Sequence, residues 1–124
     1  MYARAQHSYK KTYLESASPA RLIDEMYLRL LRDIEVGRTG IAEKDPKKRG
    51  EALSHGMAII GALHTALDRR LAPKLCAELG SLYIFINARL SRANVHNDVK
   101  ALDEAVKIIN KLRESFQEAA LKAE

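Results

Sequence analysis

The sequence predicts an all-α fold: an antiparallel up-down four-helix bundle with a flexible N-terminal arm. Apolar residues recur at steps of three and four along four stretches of the 124 residues, which is the spacing of amphipathic helices. No stretch alternates apolar and polar residues for long enough to form a sheet, and every connection after Ser18 is short. Short connections make consecutive helices antiparallel. We therefore expect residues 1–17 to form the arm and residues 18–122 to form one bundle domain.

Proline residues mark the predicted starts of the first three helices. The chain has three prolines, and each stands before a long stretch without proline: Pro19, Pro46 and Pro73. Ser18-Pro19 fits a helix start best, because the serine hydroxyl can accept from free backbone N–H groups and proline lacks the N–H that would be unpaired there. Asp45-Pro46 repeats this pattern. Ala72 is a poor cap, so the start of the third helix is less well defined.

Each predicted helix has one apolar stripe. The first stripe comprises Leu22, Ile23, Met26, Tyr27, Leu30, Leu31 and Ile34, and the helix ends near Ala42 after two weakening glycines, Gly37 and Gly40. The second stripe comprises Leu53, Met57, Ile60, Leu63 and Leu67; the third comprises Leu75, Leu79, Leu82, Ile86 and Leu90. The fourth comprises Val99, Leu102, Val106, Ile109, Leu112 and Phe116, with Asn97 or Asp98 as the cap.

Composition and charge narrow the class of protein. Hydrophobic residues make up 47% of the chain, and 21 Lys and Arg against 16 Asp and Glu give a formal charge of +5. The basic runs are short and acidic residues dilute them, so we expect no nucleic-acid binding, which stays the weaker alternative. The N-terminus lacks the apolar run of a signal peptide, and no stretch approaches the roughly 20 apolar residues that cross a bilayer. We expect a cytoplasmic protein without membrane insertion.

The sequence holds no recognisable catalytic or metal-binding motif. It lacks a GxxxxGK phosphate loop, an HExxH motif and the ExxH spacing of di-metal bundles. Two pairs, Glu51 with His55 and His64 with Asp68, lie one helical turn apart, but such pairs arise by chance on any helix surface. We interpret Cys76 as a small buried side chain. We therefore predict no enzyme activity, no catalytic residues, no metal and no cofactor.

Two features of helices two and three indicate an interaction surface. Five consecutive apolar residues, Leu82 to Ile86, cover the whole circumference of helix three, so this helix is either central in the bundle or exposed for a partner. Helix two carries a strip of small residues, Gly56, Ala58, Gly61, Ala62 and Ala66, which lowers its helix propensity. The strip fits either tight packing inside the bundle or a shallow groove that accepts a partner helix.

Several separated segments form a recognisable set. YKKTYLESASPARL combines Tyr9 with Ser18-Pro19, AIIGALHTALD spans residues 58–68, and LGSLYIFINARLSRANVHND spans residues 79–98. Met26-Tyr27 and Leu112-Arg113 with Phe116 add two shorter matches. Together, over roughly residues 9 to 120, these motifs resemble the flagellin-specific export chaperone family of the bacterial flagellar type III secretion system, FliS.

The chain departs from the family pattern at three places. Ile84 stands where the family usually has an acidic residue between two aromatic residues. Ala72-Pro73 replaces a glycine-containing turn, and Phe116 replaces a common tryptophan. The first of these departures makes the exposed surface of helix three more apolar than the family pattern implies.

The resemblance implies a chaperone with no catalytic step. Such a protein binds the disordered C-terminal segment of flagellin, prevents premature polymerisation and delivers the segment to the flagellar type III export apparatus, whose gate is a second implied partner. The resemblance implies cargo contacts on helices two, three and four, at Ile59, Ile60, Leu63, Tyr83, Phe85, Val106 and Ile109. Some of these residues must be core, and the sequence does not separate them from the groove.

Two further hypotheses concern the free protein. For Tyr9 we expect the arm to fold onto the groove when cargo is absent, so that deleting residues 1–17 speeds cargo association. The alternative function is a scaffolding bundle that self-associates through the apolar surface of helix three. A weak homodimer of the free chaperone is compatible with either function.

Overall fold

Residues 19–123 form four helices in the order that the sequence predicts. The computed structural model describes the backbone of residues 19–123 and the side chains of residues 21–118. The helices are α1 (Pro19–Ala42), α2 (Pro46–Thr65), α3 (Pro73–His96) and α4 (Val99–Ala123). Over this described range the chain contains no strand, and the predicted all-α bundle is confirmed. The predicted arm, residues 1–17, lies outside the described residues.

The four helices stand at the corners of a square. α1 packs against α2 and α4, and α3 packs against the same two helices, so α1 and α3 face each other along a diagonal. Antiparallel packing is visible in the cross-contacts: Asp24 near the start of α1 pairs with Arg113, and Arg38 near its end pairs with Asp103. The up-down topology follows from links of three, seven and two residues between consecutive helices.

The helix ends follow the predicted capping pattern. The Asp45 side chain accepts a hydrogen bond from the backbone N–H of Lys48 at 3.0 Å, and Ala72 makes no side-chain cap, as expected from its methyl group. The two residues between α3 and α4 have different roles. Asn97 ends α3 in a left-handed conformation, with φ 55°. The Asp98 side chain accepts a hydrogen bond from the backbone N–H of Ala101 at 3.2 Å. The cap of α4 is therefore Asp98. The predicted cap of α1, Ser18, lies outside the described residues.

Two glycines allow α1 and α2 to cross closely near their connection. A Cβ atom on Gly37 would lie 2.5 Å from Cδ2 of Leu53, and one on Gly40 would lie 2.6 Å from the backbone nitrogen of Arg49. Neither distance is compatible with a real side chain. The glycines that weaken the last turns of α1 are thus required by the packing of α2 against it.

The core is apolar and is centred on the diagonal. Its fully buried large side chains are Tyr27, Tyr83, Leu30, Ile34, Leu53, Ile86, Leu90, Leu102 and Ile109. The hydroxyl oxygens of Tyr27 and Tyr83 lie 2.7 Å apart, so these two polar atoms satisfy each other inside the core. Cys76 is buried at 5% exposure, which confirms its interpretation as a small core residue.

Candidate partner-binding surface

The outer side of α2 and α3 carries a long stretch without charge. No Asp, Glu, Lys or Arg occurs in residues 54–67, which include the end of α2, or in residues 79–88 of α3. These stretches lie side by side, because His64 of α2 packs beside Gly80 and its ring centroid lies 6.1 Å from that of Tyr83. Within the described range, two neighbouring helices therefore present an uncharged face.

Small side chains and one large apolar side chain form this face. The exposed residues that we call the α2–α3 surface are Ala58, Gly61, Ala77, Ser81, Ile84 and Ala88. A Cβ atom on Gly61 would meet no atom within 4 Å, so the surface is open above it. Ile84 is 62% exposed and lies one turn after Gly80, on the edge of α3 that faces α2. The α2–α3 surface is therefore an exposed, uncharged face of small side chains with one large apolar side chain, Ile84.

Four of the predicted contact residues lie in the core. Ile60, Leu63, Tyr83 and Ile109 are each at most 2% exposed. They can contact a partner only if the bundle opens, because the closed bundle buries their side chains. Their assignment to partner contact stays a prediction.

The other predicted contact residues lie on different sides of the bundle. Ile59 follows His55 by one turn, and His55 pairs with Asp33 of α1, so Ile59 faces α1. Val106 follows Asp103, which pairs with Arg38 of α1, and therefore also flanks α1. Both are partly buried against the core. These two residues do not share a patch with the α2–α3 surface.

Phe85 lies on the edge of α3 that faces α4. Its side chain is 41% exposed, and the guanidinium carbon of Arg89 lies 5.2 Å from its ring centroid. Arg89 in turn faces Glu104 of α4. Nearby, a second apolar cleft of about 320 Å³ lies between α3 and α4 and includes Leu75, Leu82 and Phe116. Phe85 thus belongs with the α3–α4 side, and Tyr9 lies outside the described residues.

Sequence reasoning identified the small-residue strip but did not assign it as the site. Of the surface residues, Ile84, Ala77, Ser81 and Ala88 were absent from the predicted contacts, and so were Ala58 and Gly61 of the strip. The signal that could have found them is the absence of charge over residues 54–67 and 79–88. A solvent-facing helix normally carries charged residues on its outer face, so their absence from both helices marks the surface.

Among residues 21–118 the ionisable side chains do not form a metal site. Glu51 lies one helical turn before His55, but Nδ1 of His55 lies 2.6 Å from Oδ2 of Asp33 on α1. Asp68 pairs with Arg70 rather than with His64. Within the described residues, no three His, Cys, Asp or Glu side chains are grouped to hold a metal ion. None of the four helices, over the same range, has the length and apolar character to cross a membrane.

Comparison with known proteins identifies the family. The sequence model described as flagellar protein FliS matches residues 1–123. The Salmonella typhimurium flagellar secretion chaperone FliS is 30% identical over 98% of this chain and 90% of its own length. The Pseudomonas aeruginosa flagellar secretion chaperone FliSB is 29% identical over 94% of this chain and 96% of its own, and the Bacillus subtilis FliS is 27% identical over 90% and 83%.

A solved structure shares the fold. It is described as a flagellar chaperone from bacteria, it covers all of both chains with a TM-score of 0.80, and it is 19% identical. The motif resemblance is confirmed by the family match along nearly the whole length of the sequence. This four-helix chain belongs to the flagellar protein FliS family.

Proposed function

We propose that this chain is a cytoplasmic export chaperone that binds the disordered C-terminal segment of flagellin. In this role it keeps the segment from polymerising prematurely and delivers it to the flagellar type III export apparatus. Family membership supports the proposal, since the relatives carry the name flagellar secretion chaperone. The structural observation that carries it is the exposed and uncharged α2–α3 surface.

The shape of this surface fits an amphipathic helical segment. Small residues such as Gly61 and Ala58 let a partner backbone approach closely, and the open space above Gly61 leaves room for a partner side chain. Ile84 can then pack against the apolar side of that segment. An uncharged surface of this kind binds a partner face that is itself uncharged. In flagellin, that apolar face is the one through which the segments would otherwise pair with one another.

Tight binding of a disordered segment buries more surface than one groove offers, so we expect the cargo to extend beyond it. Ordering a disordered segment costs several kcal/mol, and tight binding then needs on the order of 1,000 to 3,000 Å² of buried surface. At about 1.5 Å per residue, the uncharged part of α2, residues 54–65, is about 18 Å long. The exposed Phe85 and Leu75 on the α3–α4 side offer further apolar area. We therefore propose that the cargo continues from the α2–α3 surface around α3.

The test is a calorimetric titration with the C-terminal segment of the flagellin encoded in the same genome. Gly61→Glu is expected to weaken binding at least about tenfold, because it places a large charged side chain where the surface is open to the partner. Leu28→Glu is the matched control: Leu28 is 42% exposed on α1, the helix diagonal to α3. The wild-type protein should show a large negative heat-capacity change. Absence of binding, or equal losses in both variants, would contradict the proposed site.

A second candidate function is a scaffolding bundle that self-associates. The exposed Ile84 and Val95, at 62% and 69% exposure, favour it because large apolar side chains in water promote association. Light scattering separates the two functions. A dimer that persists with excess flagellin segment supports the scaffold, whereas a monomer that forms a one-to-one complex supports the chaperone.

A further inference from the structure

A cationic cleft adjoins one end of the α2–α3 surface. It has a volume of about 340 Å³ and is lined by Ala88, Arg89, Ser91, Arg92, Val95 and His96. No carboxylate lines it. Ile84, Ala88 and Val95 follow one another at steps of four and seven residues, so they form one stripe along α3. The apolar stripe that includes Ile84 therefore leads to a cleft whose lining holds two arginines and no acidic side chain.

The guanidinium of Arg89 is held in place by a ring contact and a long ion pair. Its Nε is buried and has no hydrogen-bond partner, and its guanidinium rests against the ring of Phe85. Its ion pair, from Nη1 to Oε2 of Glu104, is 3.6 Å long, whereas charge-assisted hydrogen bonds are about 2.7 to 2.9 Å. The Arg89 side chain is 28% exposed, so a guanidinium positioned in this way can also receive a second carboxylate.

The charges around the cleft leave room for an added anion. Arg92 donates from Nε to Oδ2 of Asp98 at 2.8 Å, so that carboxylate is already paired with a wall of the cleft. Glu104 is the other nearby carboxylate, and it faces Arg89. The negative end of α3 lies only two residues before the positive end of α4, and these opposite partial charges offset each other. Arg89, whose ion pair with Glu104 is long, is therefore the group of this cleft that can still receive an anion.

We infer that this cleft binds the chain-terminal carboxylate of the cargo's C-terminal segment, an inference that rests on the proposed function. The terminal carboxylate is the one anion that every C-terminal segment carries, whatever its sequence. A segment that lies along the apolar stripe reaches Arg89 and His96 where that stripe ends, and the 69% exposed side chain of Val95 can contact its last apolar residue. Capture of a terminal carboxylate also selects a chain end over an internal helix of similar hydrophobicity.

The experiment compares two forms of one peptide on the full-length protein. The probe is the C-terminal segment of the flagellin encoded in the same genome, made as the free acid and as the C-terminal amide. Amidation is expected to weaken binding to the wild-type protein about tenfold, the effect of losing a hydrogen bond to a charged group. In Arg89→Gln the two forms should bind equally, and Arg89→Lys should restore part of the preference. Arg29→Gln on α1 is the charge-matched control and should keep the full preference.

The outcomes separate this inference from the proposed function. Equal binding of both forms to the wild-type protein, or an undiminished preference in Arg89→Gln, overturns the inference while the proposed function stands. If only replacement of the peptide's Asp and Glu by Asn and Gln weakens binding, the carboxylate comes from a side chain and the inference is wrong. Failure of both forms to bind overturns the proposed function and the inference together.

Discussion

The hydroxyl groups of Tyr27 and Tyr83 are bonded to each other at 2.7 Å in the centre of the bundle. Tyr27 belongs to α1 and Tyr83 to α3, so this bond joins the two helices that face each other along the diagonal. Both residues are at most 1% exposed, and no buried side chain of the described core is charged. The pair is therefore a self-contained polar contact in an apolar core.

Removing one hydroxyl of this pair should destabilise the protein more than removing both. Tyr83→Phe leaves the Tyr27 hydroxyl buried without a partner, at a cost of about 1 to 3 kcal/mol in the free energy of unfolding. The same holds for Tyr27→Phe. The double variant leaves no buried hydroxyl without a partner. Its loss in the free energy of unfolding should therefore be clearly smaller than the sum of the two single losses. Urea denaturation of all four proteins measures the coupling; additive losses would show that the hydroxyls do not depend on each other.

Alkaline pH should unfold the protein through the same pair. Burial raises the pKa of both Tyr27 and Tyr83 above the ordinary value, and for Tyr27 the bond with Tyr83 raises it further. A raised pKa in the folded state means that the contribution to stability is complete below about pH 10 and is lost as pH rises above it. Circular dichroism combined with tyrosinate absorbance follows this loss. The Tyr27→Phe/Tyr83→Phe variant should lose less stability over that range, and an identical profile would assign the effect to other groups.

Alanine substitutions should lower the free energy of unfolding at Gly37 and Gly40 and raise it at Gly61. Gly40→Ala should cost more than about 1 kcal/mol, because its Cβ would meet the backbone of Arg49, which cannot move aside. Gly37→Ala should cost less, since the obstructing atoms belong to the Leu53 side chain. Gly61→Ala is the control: it has open space and should gain about 0.5 to 1 kcal/mol from helix propensity. Thermal denaturation ranks the three; equal effects at Gly40 and Gly61 would contradict the close crossing.

Acid should weaken the start of α4 through Asp98. The pKa of this carboxyl is lowered first by its hydrogen bond from Arg92 and then by the backbone N–H of Ala101. Its contribution to stability is therefore complete above the ordinary aspartate pKa of about 3.9 and is lost as pH falls below that value toward the lowered pKa. Asp98→Asn keeps a capping side chain but has no charge. Its deficit against the wild-type protein should be present near neutral pH and should shrink in acid; a constant deficit would show that the charge is not involved.

The sequence predicted the helices well because local chemistry sets their ends. Asp45 and Asp98 carry the acceptor oxygen that a helix start needs, and Pro46 and Pro73 each begin a helix. The apolar spacing along α3 correctly predicted that Leu79, Ile86 and Leu90 are buried in the core. These features depend on residues a few positions apart, so they are readable without knowledge of the rest of the fold.

The contact surface was harder to predict because it depends on how each helix is rotated. Leu82 to Ile86 are apolar all around α3, and only the position of α2 and α4 makes Tyr83 core and Ile84 surface. Likewise, His55 bonds to Asp33, 22 positions away, instead of to its neighbour Glu51. Ile60 and Leu63 share the helix of Gly61, yet they are buried while the glycine is open. Such differences arise from tertiary packing, which the spacing within one helix does not contain.

The two-residue link at Asn97 and Asp98 has a consequence for the speed of folding. α3 and α4 can dock as a hairpin as soon as both are formed, and the three-residue link gives α1 and α2 the same advantage. The Tyr27–Tyr83 bond spans 56 positions and can form only when the two hairpins meet. Helical bundles dominated by such local contacts fold within about microseconds to milliseconds. We therefore expect this protein to fold in much less time than the synthesis of its 124 residues takes.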